Sequence, residues 1–201
     1  MNAYRRNILS VLQGLLAKCS AVSDTLDFGC GDGWFASQVA QQLGGNLVAL
    51  DVKLRPNSLW APQIYEAGES LPFPNRSFDL AYAIDVLHHC DSPLRYLDEL
   101  ARVSKRYLLI KDHTCDTRWG ELALAILDEL GNRRFGIPSP GNYQHGDEWS
   151  QHLTKQGWVL KKMVHPLQCH TGVLGRMTNS LQYMALYERE EEAKLQSLCA
   201  M

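Results

Sequence analysis

The chain lacks any surplus of positive charge: 20 Lys and Arg stand against 22 Asp and Glu, a formal net charge of −2. Binding to nucleic-acid phosphates draws on a basic field, and here the cations are scattered, which argues against DNA or bulk RNA as a partner. Closely spaced cysteines are missing too. The 6 cysteines, Cys19, Cys30, Cys90, Cys115, Cys169 and Cys199, form no C-x-x-C pair, so the usual zinc spacing is absent and reduced thiols in a cytoplasm are expected. There is no run of the ~18 apolar residues that a membrane span needs. Arg5 and Arg6 followed by Ile8, Leu9, Val11, Leu12, Leu15 and Leu16 imitate a signal peptide. Gln13 and Lys18 interrupt that run, however, and its apolar positions recur at helical spacing. An amphipathic helix within residues 1–20 is predicted. Internal repeats and low-complexity tracts are also lacking.

What is present is an ordinary globular composition over 201 residues, 45% hydrophobic and 21% charged, enough for one domain with one core. Thr25 to Phe28 reads as a buried strand stopped by Gly29-Cys30-Gly31-Asp32-Gly33, and Trp34 to Leu43 as a helix ended by Gly44-Gly45. Further strands are predicted at Leu47 to Leu50, Gln63 to Ala67, Phe78 to Asp85, Tyr107 to Ile110, Trp158 to Val164 and Leu181 to Tyr187. Further helices are predicted at Pro93 to Val103 and Glu121 to Leu130, and a short one capped by Asp147 runs through Lys155. The alternation predicts a doubly wound α/β sheet of seven strands, mostly parallel. No helix is expected between the last two strands, which makes the final strand antiparallel. The domain spans residues 1–190, with substrate-side covers at 113–146 and 165–180 and a charged tail at 191–201. Residues 132–146, rich in proline and glycine and without periodicity, form the kind of long loop that covers active sites.

Ligands of open α/β sheets bind beyond the carboxyl ends of the strands. Two signals fall there. The turn Asp27-Phe28-Gly29-Cys30-Gly31-Asp32-Gly33 allows close backbone approach to a ligand at a helix N-terminus. Asp51, at the end of the next strand, can accept hydrogen bonds from both hydroxyls of a ribose. A dinucleotide site would place a third glycine at position 34, where this chain carries Trp34, so a dehydrogenase is disfavoured.

Leu26 to Gly33, Val48-Ala49-Leu50-Asp51, Gly68-Glu69-Ser70-Leu71-Pro72-Phe73-Pro74, Ser77-Phe78-Asp79-Leu80, Val86-Leu87-His88-His89 and Leu108-Leu109-Ile110 occur in order. In this ordered set the chain resembles the class I S-adenosylmethionine (SAM)-dependent methyltransferases, in particular their small-molecule type 11 group. The resemblance implies a Rossmann-like sheet and SAM as cofactor, with S-adenosylhomocysteine as product. It places Asp27 and the backbone of Gly29 and Gly31 on the methionine part, Asp51 on the ribose, Gly68, Glu69 and Ser70 at the adenine rim, and Asp85 at the amino-acid end, with Phe28 and Val52 also among the cofactor-binding residues. Two features depart from the pattern. Ala67 stands where many relatives carry an aspartate for the adenine amino group, and Val103-Ser104-Lys105-Arg106 replaces the usual Pro-Gly-Gly turn.

Methyl transfer from a sulfonium rests mainly on alignment in a dry site. A hydroxyl or amine acceptor must also lose its proton, for which a neutral histidine is suited. His113, at the carboxyl end of the fifth strand, is the candidate base. His88, Tyr143, His145 and His170 are candidate substrate contacts, and Trp119, Phe135 and Tyr143 suggest a partly aromatic pocket for a small organic acceptor. His88, His89, Cys90 and Asp91 are metal-ligand types, but adjacent residues cannot easily turn four ligands onto one ion, so no metal is expected. The expected reaction is transfer of a methyl group to an O, N or C atom of a small molecule. A methyltransferase acting on a protein or RNA end, or a catalytically silent SAM-fold binding protein, is the alternative.

Overall fold

The computed structural model describes residues 2–132 and 141–191. Its helices are α1 (Ala3–Leu16), α2 (Trp34–Leu43), α3 (Pro93–Val103), α4 (Arg118–Asn132), α5 (Glu148–Lys155) and α6 (Gly172–Thr178). Its strands are β1 (Asp24–Phe28), β2 (Asn46–Asp51), β3 (Gln63–Ile64), β4 (Phe78–Ile84), β5 (Ser104–His113), β6 (Trp158–Val164) and β7 (Gln182–Arg189). They form one seven-stranded sheet in the order β3-β2-β1-β4-β5-β7-β6. The first five strands pair in parallel. β7 is inserted between β5 and β6 and runs antiparallel to both.

Period-two side-chain alternation explains the near-continuous apolar strands. In β4, Leu80, Tyr82 and Ile84 face one side with Ile8, Leu12, Leu15 and Leu16 of α1 and Val39 of α2. Ala81 and Ala83 face the other side, with Leu97 and Leu100 of α3 and Trp149 and Leu153 of α5. Tyr107 and Leu109 of β5 follow the first face, Leu108 and Ile110 the second. Each fully buried leucine contributes roughly 1.5–3 kcal/mol to this packing. The i, i+4, i+7, i+8 spacing on α1 is what turns its stripe onto the sheet.

The fold corrects several expected boundaries. β5 does not end at Ile110 but continues through Lys111, Asp112 and His113, because β7 pairs with all three. The connection before β7 is not wholly irregular, since it holds α6. α1 ends at Leu16 and β3 at Ile64. Asp147 stands before α5 without capping its backbone through the side chain; its carboxylate accepts from the Gln151 amide at 2.7 Å instead. Of the expected cover at 132–146, residues 133–140 with Phe135 lie outside the described residues, as does most of the tail. No helix among the described residues is long and apolar enough to cross a membrane.

Candidate active site

The glycine turn leaves β1 at the centre of the carboxyl edge. Its backbone is braced from β2: the Gly29 and Cys30 N–H groups donate to the Leu50 carbonyl at 2.8 and 3.2 Å. The Gly31 N–H donates to Asp51 Oδ2 at 2.8 Å, and the Lys53 N–H to Asp51 Oδ1 at 3.1 Å. Gly33 takes φ +71°, and a Cβ there would lie 2.6 Å from the Trp60 backbone, so the turn tolerates no side chain at that point. At Gly31, φ +63°, a Cβ would instead meet the Arg55 guanidinium at 3.2 Å.

Asp27 lies beneath this turn, 2% exposed, and its Oδ2 has no hydrogen-bond partner among the described residues. Burial raises its pKa to about 7, opposed by the Tyr82 hydroxyl and assisted by the Asp51 charge. The Tyr82 hydroxyl acts on this carboxyl but, like the oxygen itself, makes no full hydrogen bond, and a buried acceptor left in that state is costly unless a ligand supplies a donor. A ligand ammonium group fits that position, and a ribose can use the lone pairs that Asp51 has left. On these grounds the residues present fit SAM.

The other expected cofactor residues are spread around the same edge. The Phe28 side chain is packed among aromatic rings, 5.9 Å from Tyr65 and 5.3 Å from Tyr96, which leaves only its main chain for a ligand. Val52 is exposed. Gly68, at φ +90°, donates its N–H to the Tyr96 hydroxyl at 2.7 Å, and Glu69 and Ser70 follow it on the surface. Asp85, with φ 56°, is paired with the buried Lys111 and accepts from the Tyr4 hydroxyl at 2.8 Å. Burial works against its charge, but the Lys111 ammonium holds it below the usual carboxylate range. Lys111 donates also to Tyr4 and Gln182, both at 2.7 Å, so all three of its donors are used.

The structure brings His88, His113 and Tyr143 together around Asp112. Asp112 is fully buried. It accepts from the Leu87 N–H at 3.0 Å and the His113 N–H at 2.8 Å, and one of its oxygens bonds His88 Nδ1. Burial opposes its charge, yet the imidazoles of His88 and His113 hold its pKa well below the carboxylate norm. His113 Nδ1 lies 3.3 Å from His88 Nδ1 and 3.4 Å from Asp112. Burial, with the neighbouring His88, lowers the His113 pKa and keeps the ring neutral. The Tyr143 ring stacks on His88 at 5.7 Å and meets His113 edge-on at 6.0 Å. Residues 143–146 are tied to the end of β5 by the Cys115 N–H donating to the Gln144 carbonyl at 2.9 Å and the Gly146 N–H donating to Asp116 at 2.7 Å.

Other expected contacts do not join this cluster. His145 is turned outward, 3.8 Å from Glu121. His170 packs on Tyr4 with ring centroids 4.7 Å apart. Trp119 is 81% exposed, so it does not line an aromatic pocket with Tyr143. Asp112, Lys111, Tyr4 and Gln182 were missed by sequence reasoning. The signal was the polar run Lys111-Asp112-His113 directly after a buried strand. Among the described residues two groups of metal-ligand side chains are also assembled, His88 with Asp112 and His113, and Cys115 with Glu121 and His145, each with ligand atoms within 4.8 Å of one another. The sequence argument against a metal weighed the spacing of the cysteines and a run of adjacent residues, and did not reach these groups. In the first, the members already serve one another as hydrogen-bond partners.

A mostly parallel sheet whose central glycine turn is braced by a strand-end carboxylate defines a nucleotide-type binding fold, with a cluster of buried polar side chains beside the turn. Residues 1–164 match a family described as a methyltransferase domain, and the chain belongs to that family. It is 33% identical over 160 residues to the O-methyltransferase resE of Aspergillus sclerotiorum, covering 72% of this chain and 58% of that protein. It is 36% identical over 85 residues to the malonyl-[acyl-carrier protein] O-methyltransferase of Erwinia billingiae, covering 39% of this chain and 34% of that protein. The chain thus spans less than two thirds of the length of both relatives. Its fold is that of a SAM-dependent methyltransferase from Aquifex aeolicus, with a TM-score of 0.56, 20% identity, and coverage of 90% of this chain and 88% of that one.

Proposed function

We propose that the protein transfers the methyl group of SAM to a small-molecule acceptor, releasing S-adenosylhomocysteine. The observation that carries this reading is the buried Asp27 carboxyl, with one oxygen unpartnered, beneath a glycine turn braced by Asp51. When bound, SAM supplies an activated methyl on a sulfonium. Asp27 holds an ammonium group, the main chain of Phe28, Gly29 and Gly31 approaches the ligand, and Asp51 bonds ribose hydroxyls while keeping Gly31 in place. The main chain of Val52 stands beside the ribose, Gly68, Glu69 and Ser70 form the adenine rim, and Asp85 stands at the amino-acid end.

On the acceptor side the neutral His113 takes the acceptor's proton, and the adjacent Asp112 carboxylate stabilises the resulting imidazolium. His88 and Tyr143 form the floor against which the acceptor is aligned, with His145 and His170 farther out on the two covers. The names of the two curated relatives, both O-methyltransferases, favour an oxygen acceptor. Cys19, Cys30, Cys90, Cys115 and Cys169 are free thiols, consistent with work in a cytoplasm. Calorimetry with S-adenosylhomocysteine tests the reading. Micromolar binding and a raised melting temperature are expected, since a ligand of the folded state stabilises it by mass action. A folded sample that gives neither heat nor a melting shift with SAM or its product overturns it.

A further inference from the structure

Exposed apolar side chains are unevenly placed on this molecule. Among the described residues, all the large ones except Val159 and Leu160 of β6 lie in three segments: residues 52–64, the first turns of α4, and α6. β2, β5 and β6 run in the same direction. The segment after β2, α4 after β5 and α6 after β6 therefore all leave the sheet at its carboxyl edge, the edge that carries the candidate site. On α4 Trp119, Leu122 and Ile126 occupy i, i+3 and i+7, a single helix face. On α6 Val173 and Met177, 71% and 69% exposed, form another. Single exposed apolar residues are ordinary on a soluble protein, whereas a concentration of them along one edge marks an interaction surface.

The charges at this edge indicate what that surface meets. Lys53 and Arg55 alternate with Val52 and Leu54, Arg118 precedes Trp119, and Arg176 precedes Met177, while α6 contains no acid. Asp116 is engaged by the Gly146 N–H at 2.7 Å, and α4 balances Arg118 with Glu121, 3.8 Å from His145, and with Asp128 and Glu129 towards its far end, so the cationic excess lies on the segment after β2 and on α6. Glu66 and Glu69 follow directly on the 52–64 segment and lie at the opposite end of the edge from α6. Tryptophan and aliphatic side chains interleaved with cations match a lipid–water interface that carries negative headgroups. Ridges on three separate segments are met by a fluid surface without the shape complementarity that a protein partner requires.

We propose that the carboxyl edge docks on an anionic lipid surface through α4, α6 and the segment after β2, so that the candidate site faces the lipid. The proposal rests on the methyltransferase reading only in taking this edge as the acceptor side.

Co-sedimentation of the full chain with vesicles tests it, using phosphatidylcholine alone and phosphatidylcholine mixed with phosphatidylglycerol. Partition into the anionic vesicles is expected to exceed that into neutral ones by at least about tenfold and to weaken with salt. The triple variant Trp119→Ser, Val173→Ser, Met177→Ser should lose at least about tenfold in partition. Its affinity for S-adenosylhomocysteine, measured on the same preparation, should match that of the parent, which also shows that the variant is folded. Absence of sedimentation with anionic vesicles at any lipid concentration overturns the proposal, as does a triple variant that sediments like the parent. Cofactor binding intact in those cases leaves the methyltransferase reading standing. Vesicle binding without cofactor binding supports docking and sinks that reading. A parent that self-associates but ignores vesicles, with a monomeric triple variant, assigns the face to a second copy of the chain and overturns docking on lipid.

Discussion

The two halves of the carboxyl edge are built on opposite principles. On the β1–β2–β3 side the site is mostly backbone: a glycine turn hung from Leu50 and Asp51, with one buried acid, Asp27, holding an unpartnered oxygen. On the β4–β5–β7 side it is mostly buried side chains bonded to one another, Asp112 with His88 and His113, and Lys111 with Asp85, Tyr4 and Gln182. One half is left short of a partner, which on the proposed reading a ligand supplies. The other is bonded largely within itself, although the buried Gln182 Nε2 has no partner among the described residues, and side chains held in this way are fixed in direction, as a general base would need to be. The difference predicts that substitutions in the first half change affinity, and substitutions in the second change turnover and stability.

The sharpest break of that comparison comes at His113. His113→Ala is expected to lower turnover by about 10²–10⁴-fold, the usual contribution of a general base, with the dissociation constant for S-adenosylhomocysteine within about twofold of the parent. The acceptor can be obtained by exposing metabolite extracts to isotopically labelled SAM and identifying by mass what gains the methyl group. Because burial lowers the His113 pKa, the acidic limb of the parent's pH profile should fall below the ordinary histidine value of about 6.5. Full turnover with an unchanged profile in the variant makes His113 structural and the reaction one of alignment alone.

Next in size is Lys111. Lys111→Met removes the cation from a buried network and leaves Asp85 charged beside Tyr4, for which about 3–5 kcal/mol of destabilisation is expected. Urea unfolding measures it, and adding Asp85→Asn should restore part of the loss, because the stranded charge is then gone. A single variant as stable as the parent would show that the network is a solvated surface pair in effect, and the contrast between the halves would fail there. A smaller effect is expected at Asp51. Asp51→Ala should weaken S-adenosylhomocysteine binding by at least roughly tenfold, through lost charge-assisted bonds and a looser Gly31, with the fold intact. An unchanged dissociation constant reduces Asp51 to a strand-end brace.

The same contrast explains what could be read from the sequence. The first half is local: the glycines, Asp27 and Asp51 lie on consecutive elements, and apolar runs with their glycine stops place all seven strands, while the antiparallel direction of the last one is right although its premise, a helix-free connection, fails at α6. The second half is made by pairing across large sequence separations. β5 reaches His113 only because β7, some seventy residues later, pairs with it. Tyr4 meets Asp85 only because α1 folds against the sheet. A strand that ends in Lys-Asp-His looks polar, and no local rule says that a distant strand will bury it. For the same reason the expected aromatic pocket failed at Trp119. Its apolar character suggested burial, whereas the helix turns that face outward, and only the packing of α4 decides which face is covered.

The smallest effect tests the unpartnered acid itself. With a pKa raised to about 7 by burial, Asp27 is partly protonated at neutral pH, and an ammonium group binds it best when it is ionised. Affinity for S-adenosylhomocysteine should therefore rise with pH, by about fourfold between pH 6.5 and 8, as the ionised fraction grows. The stability of the free protein should move the other way. A carboxyl whose folded pKa lies above its unfolded value favours the folded state most below the unfolded pKa, near 4, and that contribution is lost as pH rises towards about 7. Asp27→Asn removes both dependences at once: its ligand affinity should be flat over this window, and it should gain stability relative to the parent at pH 8 but not at pH 4. Calorimetry and thermal melts at four or five pH values separate the two effects. If parent and variant share the same pH dependence of binding, the ligand does not use the Asp27 carboxylate, and the first half of the site is completed by something other than an ammonium group.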